Sequence, residues 1–259
     1  MSEADNKPTA VDKALILLDL VAQLSQQGRV RIVDLVNSSG FQRPTVHRLM
    51  STLKSHGLVT QDEQGFQLGG KVLSLAAQAY NTMDIRRLAK PIMLQFSELT
   101  GLTIHLAILD GNEVVYIDKI ESRHPIVLAS GIGWRGKMHC TALGKAMMAF
   151  ADRDNQRVCL QGPMEAKTEH SITNADDLRA AWQEIKKQGY AIDDRENEVE
   201  IRCVASAILD HNGRPLAGIS ISGTTSQASM ENAQSNGQDL AQACLALSRE
   251  LGYRPKPIF

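Results

Sequence analysis

Phe41-Gln-Arg-Pro-Thr-Val-His-Arg-Leu-Met-Ser-Thr-Leu-Lys-Ser-His56, followed by Gly57, is punctuated as one short helix. Pro44 suits a first helical turn, where its missing N–H costs nothing, and Gly57 suits the left-handed position past the last turn. Val46, Leu49, Met50 and Leu53 fall at i, i+3, i+4 and i+7, one stripe for burial. A rotation of about 100° per residue turns Pro44, His47, Arg48, Ser51 and Ser55 to the opposite face, with Thr45 and Thr52 at its margin. That face is small, polar and basic. It has the chemistry of a helix laid in a DNA major groove, where hydroxyls and N–H groups reach phosphates and Arg and His reach base edges. Alone, the segment reads more simply as an amphipathic surface helix, so its neighbours decide.

Upstream, Arg31 to Val36 carries Ile32, Val33, Leu35 and Val36, and Asn37-Ser-Ser-Gly40 supplies a turn. Two short helices joined by a Gly-containing turn form the helix-turn-helix unit. Downstream, Leu58 to Gln61 and Phe66 to Leu68 flank Asp62-Glu-Gln-Gly65, a hairpin signal. Helix, helix, hairpin in that order is a winged helix-turn-helix.

The chain of 259 residues has room for two ordinary domains, and its 43% apolar content is enough for packed cores. Its net charge is only −1, yet Arg29, Arg31, Arg43, Arg48 and Lys54 face a single acid, Asp34, between Arg29 and His56. Duplex binding depends on such local excess, so a neutral total does not exclude DNA. Met1 to Pro8 is polar and acidic, unlike a signal or transit peptide, and no apolar run approaches the ~20 residues of a membrane span. Cys140, Cys159, Cys203 and Cys244 are scattered without C-x-x-C spacing, which argues against zinc and against a secreted disulfide framework. The expectation is a cytoplasmic protein without metal, cofactor or membrane partner.

The expected organisation is two-domain. A disordered lead (1–8) precedes a winged helix-turn-helix domain (9–69), mainly α with a β wing; a linker helix (70–83) follows, then an α+β domain (84–259). Thr9 to Asp12 has capping-box form, and Val11, Ala14, Leu15, Leu18, Val21 and Ala22 continue at helical period, backing the DNA unit and offering a dimer surface. Val72, Leu73, Leu75, Ala76 and Ala79 mark the linker helix. A helix from Asp84 ends at Gly101, with Pro91 predicting a kink or restart; its basic turn, Arg86, Arg87 and Lys90, reads as a solvated face. Strands are then expected over Thr103 to Leu109 and Val114 to Ile120, around Asp110-Gly-Asn112, and over Ile126 to Ala129. After the loop Gly131 to Gly136, Thr141 caps a helix reaching Phe150, and Asn174 caps another ending before Gly189. Strands follow at Tyr190 to Asp193, Cys203 to Leu209 and Pro215 to Ser222, and a long helix spans roughly Ser229 to Leu251. Antiparallel strands flanked by helices suit a sensor-like domain.

Over nearly its whole length the chain resembles the IclR family of bacterial transcription factors. The resemblance lies in Arg43-Pro-Thr-Val-His-Arg48, His139-Cys-Thr-Ala-Leu-Gly-Lys-Ala146, Glu200-Ile-Arg-Cys-Val-Ala205 and Gly218-Ile-Ser-Ile-Ser-Gly223, four weak motifs that become specific in this order. It implies an N-terminal DNA-binding domain and a GAF-like effector domain, assembled as homodimers or homotetramers on near-palindromic operator DNA. The implied function is a regulator, in first place a repressor of a catabolic operon, whose operator affinity responds to a small carboxylic, keto or sugar acid. The alternative is an activator, for which RNA polymerase is a further partner. The DNA-contacting set is Arg43, Pro44, Thr45, His47, Arg48, Ser51 and Lys54. For the effector, the family's pattern falls on the N–H groups of Ala142 and Leu143 and on Asp193, Cys203, Ser220 and Ser222.

Two physical features support that assignment. A helix start offers unpaired N–H donors and a positive dipole end to an anion, and strand alternation puts Ser220 and Ser222 on one face. Without the family, Cys203 reads as a small core residue and Asp193 as part of a solvated charge run, with Asp194 its alternative. Some family members have a smaller residue where Leu143 stands, so the pocket is expected to be narrow here. Resemblance in Thr103-Ile-His-Leu106 and Val115-Tyr-Ile-Asp-Lys119 leans toward the sugar-acid branch, around 2-keto-3-deoxygluconate regulators. A regulator has two rivals. A thiol enzyme would use Cys140 or Cys203, but His139 and Cys140 are adjacent and point apart, and Gly131-Ile-Gly133 is no phosphate loop. A protein-interaction module would bind without the salt dependence that phosphate contacts impose.

Overall fold

In the computed structural model, which describes residues 8–25, 28–82, 84–123 and 130–254, Thr9 opens α1 (Ala10–Leu24) with the expected capping box. Its hydroxyl accepts the Asp12 N–H at 3.2 Å, and the Asp12 carboxylate accepts the Thr9 N–H at 2.8 Å. Asp34 plays the same part for α2 (Ile32–Ser39), accepting the Arg31 N–H at 2.9 Å. Asn37 to Ser39 continue that helix instead of turning, and the chain reverses at Gly40, in the left-handed conformation at φ 68°. In α3 (Arg43–Ser55) Pro44 sits in the first turn, and Val46, Leu49, Met50 and Leu53 are the buried stripe.

The wing pairs β1 (Val59–Gln61) with β2 (Phe66–Leu68), Val59 opposite Leu68. Asp62 shapes its loop by accepting the Gln64 and Gly65 N–H groups at 2.9 and 3.1 Å. One core joins Leu17, Val21, Leu35, the α3 stripe, Val59 and Phe66. The stripe expected on α1 packs inward only in part: Val21 is buried and Ala14 and Leu18 pack against the core, but the stripe leaves out Leu17. Leu17 and Val21 are buried, whereas Val11, Leu15 and Ile16 are exposed. Nearly every face of α1 is apolar, so periodicity alone does not select the buried one. After Gly69, α4 (Gly70–Thr82) leaves Leu73 and Leu75 exposed.

The chain folds as two compact units, Met1–Met83 and Asp84–Phe259. The second opens with α5 (Asp84–Thr100), which runs through Pro91 without a restart; burial of Ala89, Met93 and Phe96 holds the helix across the missing N–H bond. Its basic turn is not simply solvated, because Arg86 and Lys90 converge on the buried Asp118 at 3.6 and 3.2 Å. The antiparallel sheet comprises β3 (Thr103–Asp110), β4 (Glu113–Ile120), β5 (Arg135–Lys137), β6 (Ala191–Asp194), β7 (Ile201–Leu209) and β8 (Pro215–Thr224), in the order β5-β4-β3-β8-β7-β6. The loop expected over 131–136 thus ends in an edge strand. The strand expected over 126–129 and the first seven residues lie outside the described residues.

Among the described residues this unit has four more helices: α6 (Ala142–Phe150), α7 (Arg153–Gln161), α8 (Ala175–Gln188) and α9 (Met230–Glu250). α7, capped by Asp152, falls where the sequence pattern marks no element. α5 and α9 cover one face of the sheet, and α6, backed by α8, covers the other. Small residues in mid-sheet let α6 approach: a Cβ on Gly218 would lie 3.0 Å from Leu143 Cδ2. The start of α6 is thereby pressed onto the sheet.

Candidate functional site

The first unit presents one polar surface. Arg43, Pro44, His47, Arg48, Ser51 and Lys54 are exposed on α3 and Thr45 is half-buried, opposite the buried stripe. The side chains of Arg43, His47 and Arg48 make no hydrogen bond or ion pair among the described residues, so their donors are available to an outside partner. Lys54 Nζ donates to Gln61 Oε1 at 3.0 Å, tying the helix to the wing. Gln42 gives α3 no side-chain cap, leaving first-turn N–H groups open to an anion.

The second unit holds a small, partly open cavity of ≈ 50 Å³. Its sheet side lies along two rows of residues running across the strands, of which His105, Ser220, Ser222, Cys203 and Asp193 line it. In one, Lys119 on β4 stands opposite His105 on β3, which stands opposite Ser220 on β8. In the other, Thr103 on β3, Ser222 on β8, Cys203 on β7 and Asp193 on β6 are successive partners. Partners in register share a face, so Ser220 and Ser222 converge, their Oγ atoms 3.4 Å apart. The tip of α6 closes the cavity from above. Thr141 caps that helix by accepting the Gly144 N–H at 3.0 Å, and the N–H groups of Ala142 and Leu143 are left without a partner among the described residues.

All six positions suggested for the effector, Ala142, Leu143, Asp193, Cys203, Ser220 and Ser222, line this one cavity. Asp193 and Asp194 are separated by their partners. Asp194 turns to Arg202 at 2.8 Å, while Asp193 is 3% exposed, its Oδ1 accepting the Glu196 and Asn197 N–H groups at 2.8 and 3.3 Å. The charge run is therefore a buried turn at this end. Lys145 and Glu196 form an internal ion pair behind it, and Lys145 also donates to the Ile192 carbonyl at 2.7 Å.

Sequence reasoning missed His105, Tyr116, Ser130, Asn197 and Glu198, which also line the cavity. His105 Nε2 lies 2.7 Å from Ser130 Oγ, and its Nδ1 lies 3.4 and 3.5 Å from the hydroxyls of Ser220 and Ser222. Burial, helped by the Lys119 charge, pulls its pKa down to about 3, so the ring is neutral and offers one donor and one acceptor. Tyr116 packs edge-on to it at 5.0 Å, and burial raises the phenol. The signal that finds His105 is strand pairing, since it occupies the position opposite Ser220.

The arrangement does not activate a thiol. Burial pushes Cys140 up to about 12 and raises Cys203 as well, so neither supplies a thiolate. His139 Nε2 is held by the Glu165 carbonyl at 3.0 Å. Among the described residues no group of three or more His, Cys, Asp or Glu is placed to hold a metal ion, and no helix is long and apolar enough to cross a membrane.

Comparison with known proteins agrees with both halves. The family model described as the IclR helix-turn-helix domain matches residues 10–63, and that of the bacterial transcriptional regulator IclR C-terminal domain matches 77–249. The chain is similar to the HTH-type transcriptional regulators XynR and KdgR of Escherichia coli. XynR is 36% identical over 247 residues, covering 94% of this chain and 97% of XynR; KdgR is 32% identical over 259, covering 99% and 98%. The crystal structure of the Thermotoga maritima IclR superposes with a TM-score of 0.72 at 31% identity, covering 94% of this chain and 98% of that one. A DNA-binding unit and an effector-binding unit, matched in order and over almost their full length, make the chain a member of the IclR family of bacterial transcriptional regulators.

Proposed function

We propose that this cytoplasmic regulator represses a catabolic operon and is governed by a small carboxylic or keto acid held beneath α6. One observation carries the reading. Two unpartnered N–H groups at a helix start, two serine hydroxyls and a neutral histidine meet in one buried cavity, a donor-rich setting for a carboxylate with a neighbouring oxo or hydroxyl group. Repression needs only occupancy of the operator, whereas activation needs a further surface for RNA polymerase; the simpler device is preferred. Arg48, His47 and Thr45 read or position one half-site, and Arg43, Ser51 and Lys54 add phosphate contacts. A homodimer or tetramer then reads a near-palindrome. The linker, 70–83, which contains α4, is the segment through which the effector domain, 84–259, biases the spacing of DNA domains, 9–69. The acid shifts that equilibrium only by its differential affinity for two arrangements.

Kinship with KdgR supports the sugar-acid branch, but a cavity of ≈ 50 Å³ has room for a few heavy atoms only. A six-carbon acid therefore requires its walls to open. The test is a thermal-shift screen of the full chain with glyoxylate, pyruvate, gluconate and 2-keto-3-deoxygluconate, since binding to the native state raises the melting temperature by mass action. A shift with any of them, lost in Ser222→Ala, is expected. No shift with all four, or a shift untouched by Ser222→Ala, would sink the assignment of this cavity.

A further inference from the structure

We infer that the effector enters this cavity together with a proton, which is taken up on the Asp193 carboxyl, so that the pocket recognises its acid as an anion paired with a neutral aspartic acid. The inference rests on the effector reading above and concerns the same site.

Asp193 is surrounded by charges that largely cancel without it. On its own turn stand Glu196, paired with Lys145 of α6, and Glu198, exposed at the mouth of the cavity. Asp194, its chain neighbour, is neutralised by Arg202 and Arg195. From β7 it faces the Cys203 thiol, from the turn before α6 the Cys140 thiol, from β4 the Tyr116 phenol and from β3 the neutral His105 imidazole. The Lys145 and Glu196 charges cancel, so the side-chain charge left in the cavity is negative. The attraction for an anion comes only from neutral donors and the partial positive charge at the start of α6.

An effector carboxylate seated there would meet an ionised Asp193 across a cavity a few ångströms wide. Two like charges at such distance cannot both stay ionised cheaply in a buried site. One proton on Asp193 removes the conflict and turns its free oxygen into a donor. The geometry is ready for that state. Oδ1 keeps the Glu196 and Asn197 N–H groups whichever form the carboxyl takes, and the O–H falls on Oδ2. Burial already lifts this carboxyl to about 7 before any ligand arrives, with Glu196 adding to the rise and Lys145 opposing it. The thiols and phenol are raised and the imidazole lowered, and although burial raises the Glu196 carboxyl as well, a proton there would break its ion pair with Lys145.

The linkage has a definite sign. Below the free-state pKa of Asp193 the proton is in place and affinity is flat. Above it each binding event must take up a proton, so the apparent Kd rises about tenfold per pH unit until the bound-state pKa is reached. An amine-bearing ligand follows the opposite course, because an ionised Asp193 favours it. The pocket thus selects anionic acids over their amino counterparts most strongly at and below neutral pH.

The experiment is isothermal titration calorimetry of the full chain with pyruvate, glyoxylate and 2-keto-3-deoxygluconate at pH 8. Each titration is repeated in phosphate and in Tris, whose ionisation enthalpies differ. The apparent enthalpy should differ between buffers by an amount that gives close to one proton taken up. Uptake should vanish in Asp193→Asn, which keeps the Oδ1 acceptor, and the Kd of that variant should no longer rise above neutrality. Equal enthalpies in the two buffers for the wild type would overturn the inference even if the variant failed to fold, and so would undiminished uptake in a folded Asp193→Asn. Absence of binding by all three acids at any pH would instead remove the effector reading beneath it.

Discussion

Replacing Gly144 with Ala should destabilise the effector domain, although the same change in a helix usually helps. Gly144 is the third residue of α6, and alanine there gains about 1 kcal/mol of helix propensity. The structure reverses the sign. An added Cβ would lie 2.5 Å from Met138 Cα, 2.6 Å from its carbonyl oxygen and 2.8 Å from its carbonyl carbon. All three are backbone atoms, so no side-chain rotation relieves them, and the turn before α6 must move from the helix by the better part of an ångström. Thr141 resists, because its hydroxyl donates to the Lys137 carbonyl at 2.7 Å while accepting the Gly144 N–H at 3.0 Å. Overpacking of this kind costs about 1–3 kcal/mol, more than the propensity gained. The assay is urea unfolding followed by tryptophan fluorescence. Trp134 and Trp182 are the only tryptophans and both lie in Asp84–Phe259, so the signal reports that unit. Gly162→Ala is the control, since its Cβ would make ordinary contact, 3.4 Å, with Val158 O. A Gly144→Ala protein as stable as the wild type, or more so, would refute the reasoning, as would unaltered acid binding once the Ala142 and Leu143 donors have shifted.

Lys145→Met should cost about 3–5 kcal/mol in the same unfolding assay, because it leaves the Glu196 carboxylate buried without its cation while Glu196 Oε2 already lacks a partner; a Lys145→Met, Glu196→Gln double variant should recover much of the loss. The buried Asp193 carboxyl titrates near 7 in the folded protein and about 3.9 unfolded. Its penalty is therefore absent below pH 4, grows between pH 4 and 7 and is complete above 7. Relative to wild type, Asp193→Asn should gain stability across that window, by up to about 4 kcal/mol, read as a denaturation midpoint difference that widens from pH 4.5 to 8. On DNA, Arg48→Ala should weaken binding to duplexes selected from a random library by about 1–3 kcal/mol and relax preference at one position. Lys54→Ala should instead lower affinity evenly and reduce the salt slope by about one; anisotropy titrations at several salt concentrations separate the two.

Where a segment's pattern was local, it could be read directly. The α3 stripe, the N-caps of α1 and α6, Gly57 and Gly189 as helix stops and the two hairpins are all decided within a few residues, and sequence alone located them. What failed was choice among local equivalents. On α1 several apolar stripes compete; Val21 belongs to the one read from the sequence, but only the positions of α2 and α3 choose Leu17 over Val11 and Leu15. Pro91 is a local breaker overruled by the packing of Ala89, Met93 and Phe96. The six effector positions were reached through a family pattern, because nothing in their spacing brings residue 142 to residue 222.

His105 shows what kind of information was missing. As one polar residue among Thr103, Ile104, Leu106 and Ala107, it looks like a core histidine, and the strand's alternation states only that it shares a face with Thr103. Its meaning comes from β8 lying beside β3 with His105 opposite Ser220, a pairing of residues 115 apart in sequence. Register, once given, makes the cavity nearly inevitable. The neighbouring rows then hold serine, cysteine and aspartate on the face that α6 covers, and α6 can come close only because Gly218 and Ala205 are small. A Cβ at 218 would press on the Leu143 and Met147 side chains at 3.0 and 3.2 Å, so the close seating of α6 over the cavity depends partly on a glycine outside its lining.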